Sequence, residues 1–129
     1  MRKKRLHIED DEQALLFRKL TLYYPNIRQL TFHIPNGGKR TKLEAIRLRA
    51  QGVTAGVPDI FCAFASGEYH GLFIEMKKPI VKGESKPAIS PAQKLMIEHL
   101  LFQGYCVKVC YGCAEALDTI VQYWNLYTA

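Results

Sequence analysis

The stretch PDIFCAFASGEYHGLFIEMK, residues 58–77, decides the fold of this chain, because it places a turn between two apolar runs. One run follows Asp59 and the other ends at Lys77, and glycine and polar residues separate them, as is typical of a β-hairpin. A turn centred on Gly67 pairs positions that are equidistant from it. The pattern therefore predicts two antiparallel strands in which Asp59 lies opposite Glu75.

Further helices and strands are predicted on both sides of this hairpin by hydrophobic periodicity and turn residues. The predicted elements are helix 8–24, strand 30–34, helix 42–51, strands 60–65 and 72–77, helix 90–104, strand 105–111 and a last helix that buries Leu117, Ile120, Val121 and Trp124. The first of the two hairpin strands is expected to be buried on both faces. The order α-β-α-β-β-α-β-α predicts one α/β domain over residues 1–129, a mixed sheet flanked by helices, with 1–7 as a basic tail.

Composition indicates the class of protein and its surroundings. Of the 129 residues, 48% are hydrophobic and 23% charged, so we expect neither disorder nor a disulfide scaffold. No apolar run approaches the ~20 residues that span a bilayer, which predicts a cytoplasmic protein with reduced cysteines and no membrane partner. No P-loop is recognisable, so no nucleotide cofactor is expected. The net charge of +6 favours a polyanionic partner such as nucleic acid.

The second hairpin strand carries an acid and a base on one face. Because side chains alternate along a strand, Glu75 and Lys77 point the same way, opposite to the apolar side chains between them. Carboxylates at cross-strand distance, ~5 Å at Cβ, repel each other unless a cation lies between them. Asp59 and Glu75 therefore predict a site for Mg²⁺ (or Mn²⁺), to which the backbone carbonyl of Met76 is a further candidate ligand.

Such a site suits hydrolysis of phosphodiesters. Lys77 would orient or deprotonate a water for attack on phosphorus, while the cation offsets charge on the phosphate. The alternative interpretation is an ion pair on a sheet face, with Asp59 merely capping a strand.

Four motifs along the chain match one known pattern. They are Gly56-Val57-Pro58-Asp59, Phe73-Ile74-Glu75-Met76-Lys77, Pro91-Ala92-Gln93 and Gly104-Tyr105-Cys106-Val107. Together they resemble the virus-type replication-repair nuclease (VRR-NUC) domain family, within the larger PD-(D/E)xK nuclease superfamily that includes small Holliday-junction resolvases. The resemblance covers most of the chain, from about Glu9 to Val109. It implies a restriction-endonuclease-like core and metal-dependent cleavage of DNA.

The resemblance also implies roles for single residues. Asp59 and Glu75 would bind metal, Lys77 would be the catalytic lysine, and Gln93 would lie near the site from the following helix. These are the same residues that the hairpin pattern singles out, with Gln93 added.

The resemblance further implies an acidic residue on the first helix. The family pattern is a glutamate followed one turn later by a glutamine, which gives Glu9 with Gln13. Glu12 is a second candidate. Acids in the first turn of a helix also complement its dipole, and this alternative stays open for either residue.

Basic residues bracket the proposed site. Before Asp59 they are Lys39, Arg40, Lys42, Arg47 and Arg49, and after Lys77 they are Lys78, Lys82 and Lys86. We expect them to contact phosphates on either side of the cut, the alternative being a solvated surface. No aromatic-rich platform for single strands is evident, which favours duplex or branched DNA.

The spacing Cys106-x₃-Cys110-x₂-Cys113 is used elsewhere to ligate iron–sulfur clusters. Cys106 and Cys110 also fit the buried face of a strand, where free cysteine behaves as a small hydrophobe. We favour this second interpretation over a cluster or a zinc site.

The sequence thus predicts a structure-selective DNA endonuclease, acting as a homodimer on four-way (Holliday) junctions. A homodimer provides two identical cleavage sites for a symmetric substrate. Its interface is expected on the first helix or on the segment 123–127. Alternatives are a nuclease that processes flaps or nicks, and a DNA-binding module of the same fold that no longer cuts. The resemblance makes a phage origin plausible, in which case the protein would act in the host cytoplasm.

Overall fold

Helices and strands alternate around one sheet. The computed structural model describes residues 8–35 and 41–126, so the predicted tail 1–7 and the residues Lys39 and Arg40 lie outside the described residues. The helices are α1 (Ile8–Tyr23), α2 (Pro25–Arg28), α3 (Lys42–Ala50), α4 (Pro91–Phe102) and α5 (Cys113–Asn125). The strands are β1 (Thr31–His33), β2 (Ile60–Cys62), β3 (Leu72–Lys77) and β4 (Cys106–Tyr111).

The sheet is mixed, as the sequence predicts. Within the described residues its order is β1-β2-β3-β4, with β1, β2 and β3 antiparallel and β4 parallel to β3. The helix α4 makes the crossover that a parallel pair requires. The pairs Ile60↔Ile74 and Cys62↔Leu72 centre the hairpin on Gly67, and the next position along this register sets Asp59 opposite Glu75. The predicted hairpin register is therefore confirmed.

One face of the sheet forms the core. Strand alternation sends Ile60, Leu72, Ile74 and Met76 to this face, where α1 and α5 cover them. Burying each side chain of this size stabilises the fold by about 1.5–3 kcal/mol. Cys106, Cys110 and Cys113 belong to the same core, which confirms the buried-strand interpretation of the first two. Burial raises the pKa of the Cys110 thiol to about 11, so this thiol stays protonated and unreactive.

The other face of the hairpin differs from the prediction. Strand β2 ends at Cys62 instead of residue 65, because the chain turns away and Phe64 packs on the α5 rings of Tyr123 and Trp124. Phe61 is only half-buried, so β2 is not buried on both faces. Three aromatic rings contact it instead: Phe32 of β1, Phe73 of β3 and Tyr105, which directly precedes β4.

The first helical region differs from the predicted helix 8–24, because α1 ends at Tyr23 and a second, short helix follows it. Leu16 and Leu20 are buried in the core, whereas Tyr23 at the end of α1 is 68% exposed. Pro25 then begins the short helix α2. A proline is tolerated there because the first helical N–H has no partner in the helix.

In α5 the buried stripe is rotated from the predicted one. Its buried residues include Ala116, Ile120 and Tyr123, while Trp124 is 39% exposed. The hydroxyl of Tyr123 donates to the carbonyl of Phe64 (2.7 Å), a contact that no helical period reveals. Tyr123 is therefore unavailable for the predicted dimer interface, and residue 127 lies outside the described residues.

No helix among the described residues is long and apolar enough to cross a bilayer.

Candidate active site

Asp59 and Glu75 form a close pair of carboxyl groups at one end of the hairpin. Oδ2 of Asp59 accepts a hydrogen bond from the backbone N–H of Met76 (2.7 Å), which fixes the carboxylate against β3. Glu75 is only 4% exposed. Burial, a hydrogen bond with Asp59 and the charge of Asp59 raise the pKa of Glu75 to about 9, although Lys77 opposes the shift. Without a cation, the pair therefore holds a proton at neutral pH.

This pair has the chemistry of a divalent-cation site. A hard cation between the carboxylates would replace the shared proton and cancel their repulsion. The part of the chain that the structure describes contains no group of three His, Cys, Asp or Glu side chains that could hold a metal ion. Mg²⁺ commonly takes one or two carboxylates and completes its octahedron with waters and substrate phosphate oxygens. Asp59 and Glu75 fit that pattern.

The Lys77 side chain is held by α4. Its Nζ donates to Oε1 of Gln93 (3.2 Å), and the same oxygen accepts the backbone N–H of Ser90 (2.9 Å). Ser90 returns the contact by accepting the N–H of Gln93 through Oγ (3.1 Å), which completes a capping box. Oε1 of Gln93 thus both caps the start of α4 and orients the Lys77 side chain.

Gly56 explains how α4 comes so close to the loop before Asp59. Its φ is +88°, and a Cβ at this position would overlap the backbone carbonyl of Ala92. Glycine alone provides both the conformation and the space. The loop that delivers Asp59 and the first turn that carries Gln93 are therefore in direct backbone contact.

The structure separates the two acidic candidates on α1. Partial burial raises the pKa of Glu9, and the charge of Lys77 lowers it while that of Asp59 raises it, so this exposed carboxyl is electrostatically coupled to the hairpin residues. Oε1 of Glu12 instead accepts the backbone N–H of Cys113 (2.9 Å), at the start of α5. Glu9 is thus the acid that is coupled to Asp59 and Lys77, whereas Glu12 is engaged at the start of α5.

One residue at the site was missed by the sequence reasoning. Nδ1 of His33 lies 2.8 Å from the carbonyl oxygen of Asp59 and 3.0 Å from Nε2 of Gln13. The pairing His33↔Ile60 brings this side chain to Asp59. Only the pairing of β1 with β2 could have revealed it, since His33 has no ligand-like spacing to another histidine.

Three of the predicted DNA-contacting residues lie on α3 or directly after β3. Lys42 and Arg47 are exposed on α3, a helix without a buried residue. Lys78 follows β3 and lies 4.0 Å from Glu84. A cleft of about 450 Å³ between α1 and β1 includes Arg28 and His33 in its lining.

A mixed sheet between helices, with acid, acid and lysine at one end of its hairpin, is a nuclease-type fold. The VRR-NUC domain model matches residues 6–114. A solved structure described as a VRR_NUC domain protein has a TM-score of 0.77 and 34% sequence identity, over 92% of this chain and 89% of that chain. This chain belongs to the VRR-NUC domain family, which implies DNA as its substrate. No curated protein matches the chain.

Proposed function

We propose that this protein is a Mg²⁺- or Mn²⁺-dependent, structure-selective DNA endonuclease that hydrolyses phosphodiester bonds. The observation that carries the proposal is the Asp59–Glu75 pair at one end of the hairpin, in which Glu75 is buried and Asp59 partly exposed, with Lys77 on the same strand as Glu75. Two acids in contact, one of them buried, destabilise the fold unless a proton or a cation compensates them. The same pair, once it binds a cation, serves chemistry on an anionic substrate.

The cation, when bound, would supply Lewis acidity and offset the charge that develops on the phosphate. Asp59 and Glu75 would hold it through their carboxylate oxygens, and the carbonyl of Met76 is a further candidate ligand. Asp59 is already oriented for this role by the N–H of Met76.

Lys77 would place the attacking water. Its Nζ lies where the ends of β3 and α4 meet, and Gln93 holds the side chain in one direction. The ammonium group can bind a water or a phosphate oxygen, or transfer a proton. Glu9, an exposed acid coupled to Asp59 and Lys77 through their charges, would accept a hydrogen bond from a second water.

Positive charge on both sides of the site would hold the DNA backbone. Lys42 and Arg47 on α3 project into solvent, and Lys78 follows the catalytic strand directly. Lys39 and Arg40 precede α3 in the chain and extend the same basic segment. Contacts of this kind position a duplex without reading its sequence.

We further propose that two copies pair to cut a four-way junction. One chain offers one carboxylate pair, while resolving a junction requires cuts in two opposed strands. The regions expected at the interface retain exposed apolar side chains: Leu22 and Tyr23 at the end of α1, and Trp124 and Leu126 at the end of α5. Exposed apolar residues of this size are enriched where proteins associate.

A cleavage panel tests the proposal. Linear duplex, flap, replication-fork and four-way-junction DNA would be incubated with Mg²⁺, with Mn²⁺ or with EDTA. We expect metal-dependent cleavage that is greatest on the four-way junction, and no cleavage by Glu75→Gln. Glu68→Gln changes an exposed acid in the turn of the same hairpin and should cut normally.

The panel also separates the alternatives. A monomer in light scattering that cuts flaps or nicks but leaves junctions whole would contradict the dimer and redirect the function. Tight DNA binding without cleavage in any metal would identify a non-catalytic binding module.

A further inference from the structure

Glu9 is an exposed acid in the first turn of α1 that is coupled to Lys77 and Asp59 through their charges, so its effect depends on how this helix is held. On a helix, positions three and four residues apart share a face. Glu12 and Gln13 therefore lie one turn beyond Glu9 on the same side of α1. Each of these two side chains makes a long-range contact in the structure.

Glu12 contacts a turn that also contacts β3. Its Oε1 accepts the N–H of Cys113, and the adjacent N–H of Gly112 donates to the carbonyl of Lys77 (both 2.9 Å). Gly112 has a φ of +95°, and a Cβ there would lie 3.0 Å from Oε1 of Glu12. Two consecutive backbone N–H groups thus connect α1 to the backbone of the proposed catalytic lysine.

Glu12 also takes the place of a missing cap. The N-cap residue of α5 is Gly112, which has no side chain to accept the first N–H groups of the helix. A carboxylate from α1 accepts one of them instead. The contact is favourable both as a hydrogen bond and through the helix dipole.

Gln13 makes the corresponding contact on the opposite side of the site. Its amide lies 3.0 Å from Nδ1 of His33, and the same ring nitrogen lies 2.8 Å from the carbonyl oxygen of Asp59. One ring nitrogen cannot donate to a carbonyl and accept from an amide at once, so Nδ1 donates to Asp59 and the Gln13 amide packs against the ring that holds the backbone of this proposed metal ligand. The N–H of Ile34 donates to the same carbonyl, so β1 holds Asp59 as well.

We infer that Glu12 and Gln13 are positioning residues that hold Glu9 against the Asp59–Glu75–Lys77 cluster. Glu12 connects α1 to the main-chain carbonyl of Lys77 by hydrogen bonds at Cys113 and Gly112, and Gln13 packs against the His33 ring that donates to the carbonyl of Asp59. Glu12 acts through these contacts and does not touch the reacting atoms. The inference rests on the proposed function, because Glu9 matters only if this cluster binds a cation and phosphate.

Mn²⁺ affinity, measured by calorimetry on the full-length protein without DNA, tests the inference. Removing the Glu9 charge should weaken binding about fivefold, as expected for one carboxylate near the ion in a partly screened site. We expect Glu12→Ala to weaken binding by a similar factor, and Glu9→Gln/Glu12→Ala to be no weaker than Glu9→Gln alone. Glu12→Gln, which keeps an acceptor oxygen for Cys113, should restore affinity.

Two further variants distinguish a positioning role from a general effect of removing charge or stability. Asp11→Ala removes an exposed acid from the same turn and should leave the affinity unchanged. Gln13→Ala tests the second contact if Glu12→Ala does not fold, and it should also show no additional loss beside Glu9→Gln. Additive losses in the double variants, failure of Glu12→Gln to restore affinity, or no effect of Glu9→Gln would each overturn the inference. If the unmodified protein binds no Mn²⁺, the proposed function fails instead.

Discussion

Nζ of Lys77 donates to Oε1 of Gln93 (3.2 Å), and that oxygen is also part of the capping box that begins α4. Orientation of the lysine and initiation of the helix are therefore coupled through one atom. Gln93→Ala should slow cleavage by about ten- to a hundredfold, with little change in metal affinity. Losses of this size are typical when a residue that holds a catalytic group in place is removed. Single-turnover kinetics would measure the rate.

Ser90→Ala is the matched control for this variant. It removes the side-chain cap of α4 but leaves the amide of Gln93 in place. We expect a loss of about 1 kcal/mol in the free energy of unfolding, and a cleavage rate closer to that of the unmodified protein. Equal rate losses in both variants would show that the helix start matters and the lysine contact does not.

The raised pKa of Glu75 predicts how stability depends on pH without metal. The folded state keeps the proton between the ordinary value of 4.5 and about 9, whereas the unfolded state releases it. The folded state therefore binds more protons in this window, and the free energy of unfolding falls as pH rises from 4.5 towards 9. Glu75→Gln should flatten this dependence and stabilise the metal-free protein at pH 8. Thermal melts in EDTA at pH 5 and pH 8 would check it, with Glu68→Gln unchanged.

The proton held by the Asp59–Glu75 pair should be released when a metal ion binds. Because a cation must displace it from the Asp59–Glu75 pair, binding of Mg²⁺ at pH 7 should release about one proton, and affinity should rise with pH up to about 9. Calorimetry in buffers of different ionisation enthalpy counts the released protons. A pH-independent affinity would show that the ion binds elsewhere.

Gly56 and Gly83 offer a matched pair of substitutions. Both have a φ of +88°, but a Cβ at Gly56 would overlap Ala92, while a Cβ at Gly83 meets nothing within 4 Å. Gly83→Ala should cost about 1 kcal/mol through backbone strain alone. Gly56→Ala should destabilise the protein further and also slow cleavage, since it pushes the Asp59 loop away from Gln93. Equal melting temperatures of the two variants would contradict the close approach of Gly56 to Ala92.

The salt dependence of DNA binding tests whether Lys42 and Arg47 on α3 contact phosphates. Lys42→Ala and Arg47→Ala should each lower the log–log salt slope by about 0.9, the value for one lost phosphate contact on duplex DNA. The comparison is Lys108→Ala, an exposed lysine on β4. An unchanged slope in the α3 variants would place the DNA on another surface.

The sequence by itself determined the hairpin and the acids and lysine on it. Strand alternation has a period of two and the turn is short, so the positions of Asp59, Glu75 and Lys77 follow from local pattern. The mixed sheet follows as well, because the order of elements leaves few ways to cover it. The motifs shared with the VRR-NUC family also predicted that Gln93 lies near the site, and Gln93 accepts a hydrogen bond from Lys77 in the structure.

Tertiary structure alone decided which side chains meet across elements that are distant in the chain. Glu9 and Glu12 are equivalent acids in the first turns of α1, and only the packing of α1 against α5 engages Glu12 at Cys113 and leaves Glu9 exposed. The burial of Tyr123 likewise depends on the carbonyl of Phe64. The physical reason is that helical periodicity defines a face to within about one residue, whereas a hydrogen bond of 2.9 Å requires a particular rotation that only the packed neighbours supply.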